Sequence, residues 1–538
     1  MCGIFAYLSK QKISDESKTD ITKIAMLSKI RGPDNTVTRM VDEYNYLVFH
    51  RLCINDLSEA GNQPLNHPDD VGLTLICNGE IYNYNELIQQ NNFSLSSSSD
   101  CEVILHMYKK YGIEHTVKNL DGVFAFVLID NHTNKIFMAR DPLGVRAMYM
   151  GFDKDTEGNI MATVVSSELK SVKGLANDIE QFKPGCYYEL NEGVYHRYYF
   201  YKYSISEATD EVGILQNIRT KLEKAVKKRL LSDRPIGCLL SGGLDSSLIT
   251  ALVAGHYPRG HLKTFSVGME GSVDLKYAKM VADHLGTDHH EVIFTEQQML
   301  DGIRDVIKQI ETYDTTTIRA STPMFLLSKY IKENTNATVI FSGEGSDEAS
   351  GSYMYFKNAP NEEEFQDECI RLMKDLCYYD NLRCDKSTAG AGLEVRVPFL
   401  DKEFLNYYMS IPPTMKMPNT HNIEKYLLRK AFDEDNILPK EVLWRVKEAM
   451  SDGVSSQKRG WFEIIQEKVN AEMTDMEFEE IRAKYTWNPP QLKESAYFRE
   501  IFNEFYSGFE KTIPYYWLPK WSGDVVDPSA RVLECYNK

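Results

Sequence analysis

The chain has 538 residues, 43% of them hydrophobic and 26% charged, and a net charge of −17. That is a globular balance on a length too great for one compact core, so two domains are expected. The acidic balance lacks the basic footprint of a nucleic-acid binder, and no apolar stretch approaches the roughly 20 residues of a membrane helix.

The sequence opens "MCGIFAY". No basic segment followed by an apolar run precedes the fold, so a cytoplasmic protein is expected. Removal of Met1 leaves a thiol and a free amine on Cys2. A thiol attacks only as the thiolate, and an α-amine with a pKa near about 7.7–8 can take its proton. Nucleophile and base then share one residue. "GIFAYL", "YLVFHRLCI", "LTLICNGEIYN", "GVFAFVLID", "KIFMARD", "AMYMGF", "ATVVSSE" and "GCYYEL" follow as short β-branched or aromatic runs broken by turn residues, and read as strands. Helix-like segments near 15–30 and 101–112 interrupt them. The first 200 residues therefore predict an α+β domain of stacked sheets flanked by helices.

Four polar motifs punctuate these strands. "RGPD" (31–34) is a rigid turn. Arg51, at the end of a strand, suits a carboxylate, which a guanidinium grips through two parallel hydrogen bonds. Asn78 and the N–H of Gly79 suit an oxyanion hole. Asp100 suits an ammonium group. A thiol with a carboxylate clamp and an amine clamp wants an α-amino acid with an electrophilic side-chain carbonyl, and glutamine fits.

The pattern changes near 204–215. "DEVGILQNIRTKLEKAVKKRLL" carries apolar residues at helical spacing, and its basic run reads as a solvated face. Strands and helices then alternate: "IGCLL", "SSLITALVAGH", "KTFSVGM", "KYAKMVADHLG", "HHEVIFT", "EQQMLDGIRDVIKQIE", "PMFLLSKYIKE", "ATVIFSG". Alternation predicts an α/β domain with a parallel sheet. His289 and His290 point to opposite faces of a strand and read as structural. The ten cysteines contain no CxxC and suggest neither a disulfide framework nor a zinc site. From about 361 the chain is mostly helical.

"GCLLSGGLDSS" (237–247) runs a buried strand into Ser241-Gly242-Gly243 and opens a helix near Asp245-Ser246. Glycines allow close backbone approach, and helix N-terminal amides favour anions, so the loop suits a phosphate. No GK[ST] follows, so it is not a Walker loop. "SGEGSDE" (342–348) is a second glycine-rich loop after a strand. Ser342, Gly343 and Glu344, with Ser346, Asp347 and Glu348, could meet a nucleotide and its Mg²⁺. Lys447, in "WRVKEAMSDGV", could stabilise a departing pyrophosphate.

Taken together, "MCGI", "RGPD", "HRL", "QPL", "NGEIYN" and "SDCE", followed by "GCLLSGGLDSS", "ETYDTTTIRASTPMF", "SGEGSDE", "GLEVRVPFLD" and "DPSAR", resemble the glutamine-hydrolysing asparagine synthetases over nearly the whole chain. The resemblance implies a class II glutamine amidotransferase domain of the N-terminal nucleophile fold over 2–200. It implies a synthetase domain of the ATP pyrophosphatase type over 211–538. Cys2 would be the nucleophile, with Asn78 and Gly79 as oxyanion hole; Arg51, Asn55, Asn78, Gly79, Glu80 and Asp100 would hold L-glutamine. Leu240, Val267, Ser342 and Gly343 would contact ATP; Ser241, Gly243, Asp245 and Ser246, with Lys447, would hold its pyrophosphate. Glu344 would be catalytic, and Thr316 and Arg319 would serve the aspartyl-adenylate. L-glutamine, L-aspartate and ATP would be the substrates, with Mg²⁺, and ammonia would pass through a tunnel in a homodimeric enzyme. Cys53 and "ASGSY" (349–353) depart from the family's usual residues. Three readings stand beside this one: a ring-closing β-lactam synthetase, an amidotransferase sharing only the first domain, and a silent binding protein on the same scaffold.

Overall fold

The computed structural model describes residues 1–207, 209–447 and 450–534. Residues 448 and 449 of the "WRVKEAMSDGV" motif lie outside them. The chain divides into two compact units. One comprises Met1–Phe200, Leu231–Arg234 and Thr388–Glu394; the other comprises Tyr201–Leu230, Pro235–Ser387 and Val395–Lys538.

The first unit holds strands β1 (Gly3–Ser9), β2 (Asn35–Met40), β3 (Asn45–Arg51), β4 (Leu65–His67), β5 (Asp70–Ile81), β6 (Gly122–Asp130), β7 (Lys135–Arg140), β8 (Tyr149–Lys154), β9 (Ile160–Ser166), β10 (Asp178–Gln181), β11 (Cys186–Glu189) and β12 (Val194–Arg197). They build two six-stranded sheets, ordered β10-β8-β9-β1-β3-β2 and β12-β11-β7-β6-β5-β4. Strand alternation explains the layers. Ala125, Val127 and Ile129 of β6 join Ile4, Ala6 and Leu8 of β1 and Leu47 and Phe49 of β3 in a core shared by both sheets. The intervening Phe124, Phe126 and Leu128 pack instead with Leu87 of α2 (Tyr84–Asn91) and Val103, Ile104 and Met107 of α3 (Val103–Asn119). The run "FAFVLI" is apolar throughout because both faces of its strand are buried. Helix α1 (Asp15–Ala25) is shorter than the segment expected at 15–30: it tightens into a 3₁₀ turn over Met26–Arg31. Strand β2 was illegible in "NTVTRM" because it is a partly exposed edge strand, with little apolar signal.

In the second unit, β13 (Ile236–Leu239), β14 (Lys263–Gly268), β15 (Asp288–Ile293), β16 (Val339–Phe341) and β17 (Glu394–Arg396) form one sheet in the order β15-β14-β13-β16-β17. β13 runs parallel to both β14 and β16, and β14 parallel to β15. The helices that carry site residues or cover the sheet are α4 (Glu211–Lys228), α5 (Leu244–Ala254), α6 (Val273–Leu285), α7 (Glu296–Ile310), α8 (Thr315–Asn334), α9 (Ser346–Ser350), α10 (Glu362–Asp375) and α11 (Asp380–Ala389). From β13 the chain winds outward to β14 and β15, then returns to set β16 on the other flank of β13. That reversal opens a crevice beyond the carboxyl ends of β13 and β16, where open α/β sheets bind ligands.

Four local details correct or refine the sequence reading. The helix legible from Pro323 begins eight residues earlier, at Thr315, capped by Asp314, whose side chain accepts from Thr317 N–H. Proline removes the bond to the carbonyl four residues back, and here that carbonyl, Arg319 O, accepts instead from Trp461 Nε1 at 3.1 Å. The basic run of α4 is anchored by acids: Lys221 and Lys224 both bond Glu403, at 2.9 and 2.7 Å. His289 bonds Thr264 and Ser266 hydroxyls on β14, while His290 faces Tyr330. Of the cysteines among the described residues, Cys2 and Cys53 are partly exposed and the others buried.

Candidate active sites

Antiparallel pairing of β1 with β3 places Gly3 opposite His50, and Cys2 leads into β1 directly before that pair. The N–H of Leu52 donates to Cys2 Sγ at 3.4 Å, and the thiol donates to Leu52 O at 3.6 Å. Arg31 Nε fixes the Cys2 carbonyl at 2.9 Å. Burial pushes the thiol up to about 12, against the pull of the Met1 ammonium. Met1 itself is buried; its amine donates to Leu393 O at 3.0 Å, and burial pulls that amine down to about 5.

Asn78 lies near the end of β5, almost wholly buried at 1% exposure, and its Nδ2 has no hydrogen-bond partner among the described residues. An unpaired buried amide costs about 1–3 kcal/mol unless a ligand satisfies it. Such a donor suits an oxyanion. Asn55, Glu80 and Asp100 come together: Asn55 Nδ2 donates to Glu80 Oε2 at 2.5 Å and to Asp100 Oδ1 at 3.4 Å. Asp100 Oδ2 accepts from Ile81 N–H at 2.6 Å, and burial pushes its carboxyl up to about 6. Arg51 is engaged differently from a bare clamp. It donates to Ser58 O at 2.7 Å, to Asn62 Oδ1 at 2.8 Å and to Asp56 O, holding the 56–62 loop in shape.

In the second unit, the two glycine-rich loops leave adjacent parallel strands and meet. A Cβ on Gly343 would fall 2.7 Å from Ser246 N, so the loops touch backbone to backbone and only glycine fits. Gly242 sits at φ +73°, with Ala278 N only 2.4 Å from where a Cβ would be. Ser241 Oγ lies 3.0 Å from Ser246 Oγ, which also accepts from Ser241 N–H at 3.1 Å. Between the loops is a cavity of about 180 Å³, and Ser241, Gly243, Asp245, Ser246, Thr316, Ser342, Gly343, Glu344, Asp347 and Lys447 line it.

The cavity's charges are organised around Asp347. Lys425 Nζ donates to Asp347 Oδ1 and to Asp245 Oδ2, each at 2.5 Å, and Lys447 donates to Asp347 Oδ2. Burial pushes the Asp347 carboxyl up, but the two ammonium groups outweigh it and hold it well below the usual range. Burial opposes the charge on Lys447 too, yet Asp347 and Asp245 raise it. Glu344 is pushed up to about 7 by burial, despite Arg383 donating to it at 2.6 Å.

Three expected residues stand apart from this lining. Leu240 and Val267 are buried in the sheet; Leu240 N–H bonds Phe265 O at 2.8 Å, and neither is among the side chains lining the cavity. Arg319 is buried on α8 in an ion-pair network with Glu494 and, at 2.8 Å, Asp527 of "DPSAR". Its helix brings Thr316 to the cavity but turns Arg319 away. Lys425, Arg383 and Asp380 line the cavity unforeseen. In sequence, "EKYLLRKAF" reads as an ordinary amphipathic helix. The left-handed backbone of Lys425, φ 58°, that aims it inward has no single-residue signature.

Residues 1–190 match the family described as glutamine amidotransferase domain, and residues 217–365 and 357–522 match asparagine synthase. The glutamine-hydrolysing asparagine synthetase of Gallus gallus is 43% identical over 575 aligned residues, covering 100% of this chain and 99% of that one. Those of Rattus norvegicus and Homo sapiens are 42% and 41% identical over 568 residues, with the same coverage.

Proposed function

The chain belongs to the glutamine-hydrolysing asparagine synthetase family, and we propose that it converts L-aspartate, L-glutamine, ATP and water into L-asparagine, L-glutamate, AMP and pyrophosphate. The two domains implied, 2–200 and 211–538, divide the work.

In the first, the Cys2 thiolate attacks the glutamine side-chain carbonyl carbon. The C–N bond breaks, the nitrogen leaves as ammonia, and water releases glutamate from the thioester. Asn78 Nδ2 and Gly79 N–H stabilise the oxyanion. This reading is supported by the unsatisfied, buried Asn78 amide. Arg51 takes the α-carboxylate; Asp100, with Glu80 and Asn55, takes the α-ammonium.

In the second, a β-carboxylate oxygen of aspartate attacks the α-phosphorus of ATP, and pyrophosphate leaves. Ammonia then attacks the acyl carbon and AMP departs. A bare carboxylate does not react with ammonia, so adenylation supplies the leaving group. Ser241, Gly243, Asp245 and Ser246 cradle the pyrophosphate, and Lys447, with Lys425, offsets its charge. Glu344 and Thr316 face the aspartyl end, whereas Leu240 and Val267 shape the sheet behind the nucleotide. Arg319 acts at a distance, by fixing α8.

Among the described residues no group of three or more His, Cys, Asp or Glu forms a metal site by itself. Asp245 and Asp347 nevertheless bracket one cationic group, Lys425 Nζ, and Asp245 Oδ1 is buried without a partner among the described residues. That pair fits Mg²⁺ carried in by the nucleotide, whose phosphates would complete the shell. Bound there, Mg²⁺ would neutralise charge on the polyphosphate. We further infer a cytoplasmic homodimer without nucleic-acid or membrane partners. The acidic net charge speaks against a nucleic-acid partner, and no described helix is long and apolar enough to cross a membrane.

The observation that carries the reading is the meeting of the two glycine-rich loops around a cavity at the ends of adjacent parallel strands. The test is the product pattern of the purified protein: AMP, pyrophosphate and asparagine in equal amounts. ADP as product, or pyrophosphate release that ignores aspartate, would overturn it.

A further inference from the structure

The cavity lining combines two kinds of chemistry. The glycine-rich loops with Lys425 and Lys447 suit phosphates. Glu344, Thr316, Ala320, Met324, Asp380 and Arg383 line it too. Asp380 and Arg383 stand three residues apart on the first turn of α11, a spacing that puts them on one face. Arg383 Nη2 donates to Asp380 Oδ1 at 2.8 Å and to Glu344 Oε2 at 2.6 Å. The Arg383 side chain is 7% exposed, and that of Asp380 29%.

A guanidinium and a carboxylate side by side in a cleft are the electrostatic complement of an α-amino acid, whose carboxylate and ammonium share one carbon. The planar guanidinium matches a carboxylate through two parallel bonds, which a lysine cannot reproduce. Little water competes at the enclosed Arg383 guanidinium, which strengthens its contacts. Glu344, on the same guanidinium, then lies where the distal carboxylate of a four-carbon amino acid would meet the nucleotide loops.

We propose that Arg383 and Asp380 are the residues that select the amino-acid substrate: Arg383 binds its α-carboxylate and Asp380 its α-ammonium. The assignment rests on the adenylation reaction proposed above and names its specificity determinants.

The experiment measures pyrophosphate release with saturating ATP and with ammonium as nitrogen source, so that the thiol site plays no part. Three acyl substrates are compared: L-aspartate, β-alanine (aspartate without its α-carboxylate) and succinate (without its α-ammonium). The wild type should favour aspartate over each by at least about 10²-fold in kcat/KM, because a site built for a polar group rejects the analogue lacking it. Arg383→Met should lose the preference over β-alanine, leaving the two within a few-fold, and retained turnover of β-alanine reports a folded site. Asp380→Asn should do the same for succinate. Arg383→Lys, the milder change, should lower aspartate kcat/KM at least about ten-fold while the KM for ATP stays within a few-fold. Equal losses on all three substrates would mean that the pair merely supports Glu344, and preserved discrimination would mean that it reads nothing; either overturns the proposal. A wild type whose pyrophosphate release ignores aspartate would instead overturn the reaction itself, and this assignment with it.

Discussion

Retaining Met1 should silence glutamine hydrolysis while sparing aspartate adenylation. With Met1 in place the Cys2 nitrogen is an amide, and no α-amine stands on the nucleophile's own residue. Burial holds the thiol at about 12 against an ordinary value of 9.0. A thiol held there is almost wholly protonated near neutral pH, with about 10³-fold less thiolate than an ordinary cysteine. The Met1 amine cannot stand in as base. It donates to Leu393 O and is buried. Two preparations test this. One is expressed behind a tag whose cleavage leaves Cys2 first; the other keeps Met1, through inhibition of methionine removal, as verified by intact mass. Glutamate release from glutamine should fall by about 10³-fold or more in the second, and AMP formation with ammonium should match in both. A Met1-retaining protein that hydrolyses glutamine within ten-fold of the processed one would refute the reasoning.

Asn78→Ala should cost about 10²–10³ in glutamine-dependent turnover, the usual loss of one oxyanion donor, while ammonium-dependent turnover, followed by AMP release, holds. Burial sets the Glu344 carboxyl at about 7, so it is protonated below that pH and ionised above it. Aspartate-dependent exchange of pyrophosphate into ATP, which needs no ammonia, should therefore rise through about pH 7, and Glu344→Gln should abolish that step in the pH profile. Arg319→Met strands the buried Glu494 and the Asp527 carboxylate. Thermal or denaturant unfolding should show the second unit destabilised by about 3–5 kcal/mol.

Local patterns were legible wherever one residue type is needed for one local reason. Gly242 and Gly343 could be read as phosphate-loop positions because no other residue fits their close approaches. Cys2 could be read as a nucleophile because its chemistry depends only on being next to the terminus. The strands "FAFVLI" and "IGCLL" stood out because burial on both faces leaves no polar alternation to confuse.

What escaped the sequence depends on residues far apart in the chain. Lys425 bridges Asp245 and Asp347, which lie 180 and 78 residues away; no window of sequence contains that triangle. Arg319 sits in a motif that resembles a catalytic one, yet a pairing with Glu494 and Asp527, 175 and 208 residues away, holds it out of the cavity. The helix legible from Pro323 begins at Thr315, and Arg319 O, which the proline cannot serve, accepts from Trp461, 142 residues away. Composition, periodicity and turn residues thus determined the fold classes of the two halves, since those follow from backbone sterics and local burial. The tertiary structure decided which charges share a cavity, because Coulomb and hydrogen-bond partners are set by distance in space and not along the chain.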